Sequence, residues 1–160
     1  MPPDAEPSLL TVFRRLFLRT IVPPAALAVA VSLLLPPEWV PHALFAVSTA
    51  MSVASAAAIP LVSRVPVLPV AMPPEQARAE GVKAFRSSIF RRFAVVQGAG
   101  LFGAIASFAL DTSLPCLINT AVAIALMVLF VMPNARQVRS AEKQLDSGGA
   151  RSGLSAEFGI

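Results

Sequence analysis

Side chains able to do chemistry are scarce in this chain. It has one cysteine, Cys116, and one histidine, His42. A lone thiol closes no internal disulfide, and a histidine metal site or a thiol–imidazole nucleophile pair needs partners that the chain lacks. Both residues read as packing or interface residues. Acid–base catalysis needs paired titratable groups at one depth, whereas the clustered ones here are mostly arginine, 11 of the 13 basic residues. We therefore assign no catalytic residue, no metal ligand and no cofactor, and read the chain as not an enzyme.

The same residues say where they cannot act. No Asp, Glu, Lys, Arg or His falls in the middle of a long apolar stretch, the place where ion-coupled transporters keep an ionisable group. Gln97 is taken as the strongly polar side chain of the spans; an amide cannot carry a proton, so its expected role is hydrogen bonding between helices. Asp111 stands at the edge of an apolar stretch and reads as a boundary residue that caps the following helix.

The elements that hold these residues follow from composition. Apolar residues make up 56% of the chain and charged ones 14%, with a mean hydropathy of +0.71; a soluble domain carries about 25% charged residues. The formal charge of +4 and pI near 10.6 raise the question of nucleic acid. No basic block is interleaved with stacking aromatics, there is no Tyr, and the one Trp, Trp39, lies in a short apolar loop, so no nucleic-acid partner is expected.

Four uncharged windows, 20–37, 39–63, 93–110 and 112–135, are 18, 25, 18 and 24 residues long. At about 1.5 Å per residue each can cross a hydrocarbon layer of about 30 Å. Lipid leaves the backbone only internally bonded solutions, so the fold class is an all-α membrane protein of four transmembrane helices arranged as two helical hairpins. The expected spans are 18–36, 42–63, 93–110 and 114–133, within a transmembrane domain over 17–135. A disordered basic lead (1–16), a cytoplasmic loop (64–92) and a cytoplasmic tail (134–160) complete the organisation.

Orientation follows from the cations. Three basic residues precede the first window, six lie in the central loop and four follow the last window, while neither short reversal has any. Four crossings bring all thirteen to one face, and the positive-inside rule makes that face cytoplasmic. The chain is thus expected in the cell membrane, multi-pass, with both termini inside. Pro23 and Pro24, and Pro60, are expected to end helices near that face.

Small residues at four-residue spacing allow helix backbones to approach closely. Ala99, Gly103 and Ser107 form such a stripe on the third helix; Ser48, Ser52 and Ala56 form a matching one on the second. With Gln97, these are the helix-packing candidates, read first as intramolecular and second as a seam between copies. In the central loop, 65–74 reads as a stiff proline-rich strip, and Pro74 with Glu75 opens a helix that runs into the third span. Its partly amphipathic face is expected to lie along the membrane, where Lys83, Arg86, Arg91 and Arg92 contact anionic lipid. A short helix over 135–146 is expected to stop at Ser147, Gly148 and Gly149. Leu154 and Phe158 give the terminal residues, expected to be mobile, the apolar surface of a docking peptide.

Richness in Ala, Arg, Val and Pro with only two lysines resembles GC-rich coding. The stretch from Pro74, Glu75, Gln76, Ala77 and Arg78 to Phe93, together with Leu145 to Ser152, is similar to small uncharacterised actinobacterial four-helix membrane proteins, a resemblance that implies no activity. The glycine-rich third helix is similar to the hairpin of the rotary ATP synthase c subunit, but that family needs a carboxylate within the membrane and none exists here. The expected function is a non-enzymatic accessory or scaffold subunit that acts through helix contacts, with membrane lipid and a homo-oligomer or larger membrane complex as partners. The alternatives are a small uncoupled transporter or channel formed by several copies, lined by Gln97, Thr49, Ser52 and Ser107, and, less favoured, a lipid-modifying enzyme.

Overall fold

The computed structural model describes residues 9–160, apart from the side chains of residues 9, 10, 14 and 16. The first half of the expected lead (1–8) therefore lies outside the described residues, and the second half (9–16) is helical rather than disordered. The elements are α1 (Leu9–Leu34), α2 (Ala43–Val62), α3 (Pro74–Ala109), α4 (Leu114–Leu126) running into a π turn (Met127–Val131), α5 (Ala135–Leu145), a 3-10 turn (Asp146–Gly148) and α6 (Leu154–Glu157). No strand occurs among the described residues.

Four of these helical segments, Thr11–Leu34, Ala43–Val62, Pro74–Ala109 and Leu114–Val131, are long and apolar enough to cross a membrane. Large apolar side chains such as Val29, Leu33, Val53, Ile105 and Leu129 stand exposed on their outer faces. That pattern suits lipid, because a soluble monomer rarely exposes so large a contiguous apolar surface.

The prolines do not end the helices as expected. α1 passes through Pro23 and Pro24 unbroken, and α2 continues beyond Pro60 to Val62. Each proline removes one helical donor, at the carbonyl four residues before it, and the bonds on either side keep the helix continuous.

α3 is the spine. Pro74 occupies its first turn, where no helical donor is needed, and Glu75 suits the positive end of the dipole. Its 36 residues span about 54 Å, well beyond one bilayer. The amphipathic half and the apolar half belong to one unbroken helix, with no proline past its first turn and no π turn between them. α3 packs chiefly on α4 and α2, and α1 lies against α4 and α3. α1 and α2 scarcely touch each other, so the first expected hairpin is not a packed pair.

The two reversals meet at one end of the bundle. Ser113 N–H donates to the Pro36 carbonyl at 2.9 Å, and the Thr112 hydroxyl lies 2.7 Å from the Glu38 carbonyl and 3.1 Å from that of Pro36. α3 finishes with Asp111 in the left-handed region (φ 52°) and Thr112 N–H donating to the Ser107 carbonyl at 3.1 Å, the geometry of a Schellman cap in which glycine is usual. Asp111 therefore closes α3 and does not cap the next helix.

At the opposite end the tail is folded. Leu68 N–H donates to the Leu145 carbonyl at 3.0 Å, which pins the proline-rich strip to the end of α5. Gly148 is required there, since a Cβ would lie 2.5 Å from the Leu68 carbonyl oxygen. Leu145, Leu154 and Phe158 are wholly buried, and the Phe158 ring meets Phe85 of α3 edge-on at 5.2 Å. The expected mobile peptide is thus docked on its own chain, because α3 extends far enough to offer it an apolar face.

Candidate functional site

Asn119 lies at the centre of the bundle with none of its surface exposed. Its side-chain oxygen accepts from the Ser52 hydroxyl of α2, while its amide donates to the Pro115 carbonyl at 2.7 Å and approaches the Ser48 hydroxyl at 3.4 Å. Gly103 of α3 lets this happen: a Cβ there would lie 2.5 Å from the Asn119 Cβ and 2.9 Å from the Pro115 oxygen. Three helices therefore close around one amide.

The start of α4 is satisfied in the same economical way. Its first donors have no helical acceptors. Leu114 N–H donates to the Thr112 hydroxyl at 3.4 Å, Pro115 has no N–H, Cys116 N–H donates to the Ser107 hydroxyl at 2.8 Å, and Leu117 N–H donates to the Ser113 carbonyl at 3.0 Å. Ser48, Ser52, Ala99, Gly103 and Ser107 are all buried within the monomer and Ala56 is half-buried, so the small-residue stripes serve internal packing here. Sequence reasoning overlooked Asn119, although a carboxamide within an uncharged window is itself a signal of interhelical bonding.

The four lipid-contact candidates separate. Lys83 is exposed and pairs with Glu80 at 3.2 Å, and Arg91 is exposed and donates to the Arg64 carbonyl at 3.0 Å. Arg86 is exposed and lies over the Phe13 ring, 5.7 Å from its centroid. Arg92, by contrast, is only 8% exposed; it donates to the Phe130 carbonyl and to the Ser88 hydroxyl, both at 3.1 Å. The Phe130 carbonyl lies in the last turn before the chain leaves the helix and also accepts from the Gln137 side-chain amide at 3.2 Å, and a guanidinium beside this negative end meets it favourably.

Gln97 is not part of the Asn119 clamp. It is half-buried, makes no hydrogen bond to a described residue, and lines a hollow of about 500 Å³ with Arg19, Thr20, Pro23, Pro24 and Leu27 of α1. A second hollow of about 500 Å³ adjoins it, lined by Phe13, Phe17, Arg86, Phe90 and, in common with the first, Thr20 and Phe93. The two form one crevice between α1 and α3. No acidic side chain lines it.

No group of three or more His, Cys, Asp or Glu gathers among the described residues in a way that could hold a metal ion. The side chains that meet at Asn119 are hydroxyls and its own amide, groups that join helices by hydrogen bonds. Compared with known proteins, the chain matches no family model, no curated protein and no solved structure.

Proposed function

We propose that the chain is a multi-pass subunit of the cell membrane that works without catalysis, by presenting helix surfaces to another membrane protein or to a second copy of itself. Its four helices cross the bilayer in alternating directions, with both ends and the 64–92 segment on the cytoplasmic face. The joined reversals support this arrangement, as does the absence of any Lys or Arg from 35–42 and 110–113.

The observation that carries the reading is the Asn119 clamp. Ser52 and Ser107, two of the four groups that would line a conducting path, are buried in bonds to Asn119 and to the Cys116 backbone. Polar side chains used in this way favour a rigid packing unit over a pore. The docked tail extends that unit by a platform around the lower half of α3.

Purification in mild detergent followed by mass measurement of the intact assembly tests the proposal. The expected mass exceeds the 16.8 kDa of one chain, as an integer multiple or as a complex with another membrane protein. A single chain in every mild detergent tried would remove the basis for a scaffold role.

A further inference from the structure

We propose that the crevice between α1 and α3 binds one anionic phospholipid, its phosphate held between Arg19 and Arg86 and one acyl chain running past Phe93 toward Leu27 and Leu101. The inference is independent of whether the chain has a protein partner.

The lining residues order the crevice. Phe13 of α1 faces Arg86 of α3 at one end, Thr20 and Phe93 share the middle, and Leu27 meets Gly100 and Leu101 at the other end. α1 and α3 therefore run side by side in the same direction, and their crevice changes in character along its length. Arg86 lies at the tail end and Arg19 beside Thr20 near the middle, both on the tail side of Gln97; beyond Gln97 the walls are apolar apart from Thr120. That is the polarity of a membrane amphiphile in the leaflet nearest the tail end.

Charge decides the headgroup. Arg19 and Arg86 are exposed, neither forms an ion pair among the described residues, and no carboxylate lines the crevice. A guanidinium matches phosphate geometry with two parallel donors. An apolar helix seated here would cover two cations and supply no counter-charge, whereas an anionic lipid brings its own. Gln97, without a partner and one turn deeper than Phe93, is placed to donate to a glycerol ester carbonyl. The combined space suits a chain: each hollow of about 500 Å³ lies within the range of about 300–1,000 Å³ typical of small-molecule sites.

The test is native mass spectrometry of the full chain in mild detergent, with dioleoylphosphatidylglycerol or dioleoylphosphatidylcholine added at equal concentration. One phosphatidylglycerol per chain is expected to be retained in preference to phosphatidylcholine. Arg19→Gln with Arg86→Gln should weaken retention roughly thirtyfold, as two surface cations would. Arg19→Lys with Arg86→Lys should keep most of it, and Arg136→Gln with Arg139→Gln should leave it unchanged. Equal retention of both lipids, or equal loss in the Arg136 and Arg139 variant, would overturn the site. Should the glutamine variant not fold, a phosphatidylglycerol carrying a diazirine in its acyl chain decides on the unmodified protein: cross-links at Leu27, Phe93 or Leu101 support the site, and cross-links confined to the outer faces of α2 and α4 exclude it.

Discussion

Ser52 on α2 donates its hydroxyl proton to the side-chain oxygen of Asn119 on α4, a bond between residues 67 positions apart in the chain. Hydrogen bonds between helices in lipid are worth about 0.6 kcal/mol on average and up to about 1.7 kcal/mol. Asn119→Ala breaks more than one and should lower stability by about 1–2 kcal/mol, Ser52→Ala by less. The double variant should lose less than the sum, because both changes remove the same bond. Unfolding of the purified protein by SDS titration measures all three, and strict additivity would show that the two residues are not coupled.

Gly103 and Gly98 form a matched pair on α3. A Cβ at Gly103 would meet Asn119 at 2.5 Å, whereas a Cβ at Gly98 meets nothing within 4 Å. Gly103→Ala should therefore destabilise by about 1–3 kcal/mol through overpacking, and Gly98→Ala should be neutral or slightly stabilising. The same SDS titration reads both, and similar behaviour of the two would contradict the close approach of α3 and α4.

Asp111 carries a positive φ of 52° at the end of α3. Replacement by Gly removes the steric cost of that conformation and should raise stability by up to about 1 kcal/mol; Asp111→Val should lower it by about 1–2 kcal/mol. Thermal unfolding in detergent, followed by circular dichroism, gives the order Gly above Asp above Val, and any other order would mean that this turn is not left-handed.

Phe158 anchors the tail. Its ring is wholly buried, 5.2 Å from Phe85 and 5.9 Å from Phe13. Truncating a buried Phe costs about 3–5 kcal/mol, more than a short docked segment can supply from its remaining contacts. Phe158→Ala should release residues 150–160 to limited proteolysis and rapid hydrogen exchange while α2, α3 and α4 keep their protection. Unchanged protection of the tail would show that it is held elsewhere.

The proposed orientation is checked by labelling intact cells with an impermeant maleimide. Cysteine at Glu38 should react and cysteine at Lys83 should not; the native Cys116 is buried and adds no background. Reaction at Lys83 alone would invert the topology.

Periodicity and charge were enough to read four segments long and apolar enough to cross a membrane, the helix opened by Pro74, a helix over 135–146 stopped by Ser147, Gly148 and Gly149, and the small-residue stripes, because length and apolarity add up residue by residue. Local sequence does not report which helix lies beside which, and so the separation of α1 from α2 was illegible. The fate of a single polar group depends on neighbours far along the chain: Asn119 meets Ser52, Arg92 meets the Phe130 carbonyl, and Gln97 is left facing a crevice. The tail was legible as apolar but not as docked, since docking needed the extended half of α3 to present Phe85. What the sequence determined by itself was the length and apolarity of each segment, properties summed over the segment's own residues. Tertiary structure alone decided the partners, because a contact energy belongs to two surfaces that only folding brings together.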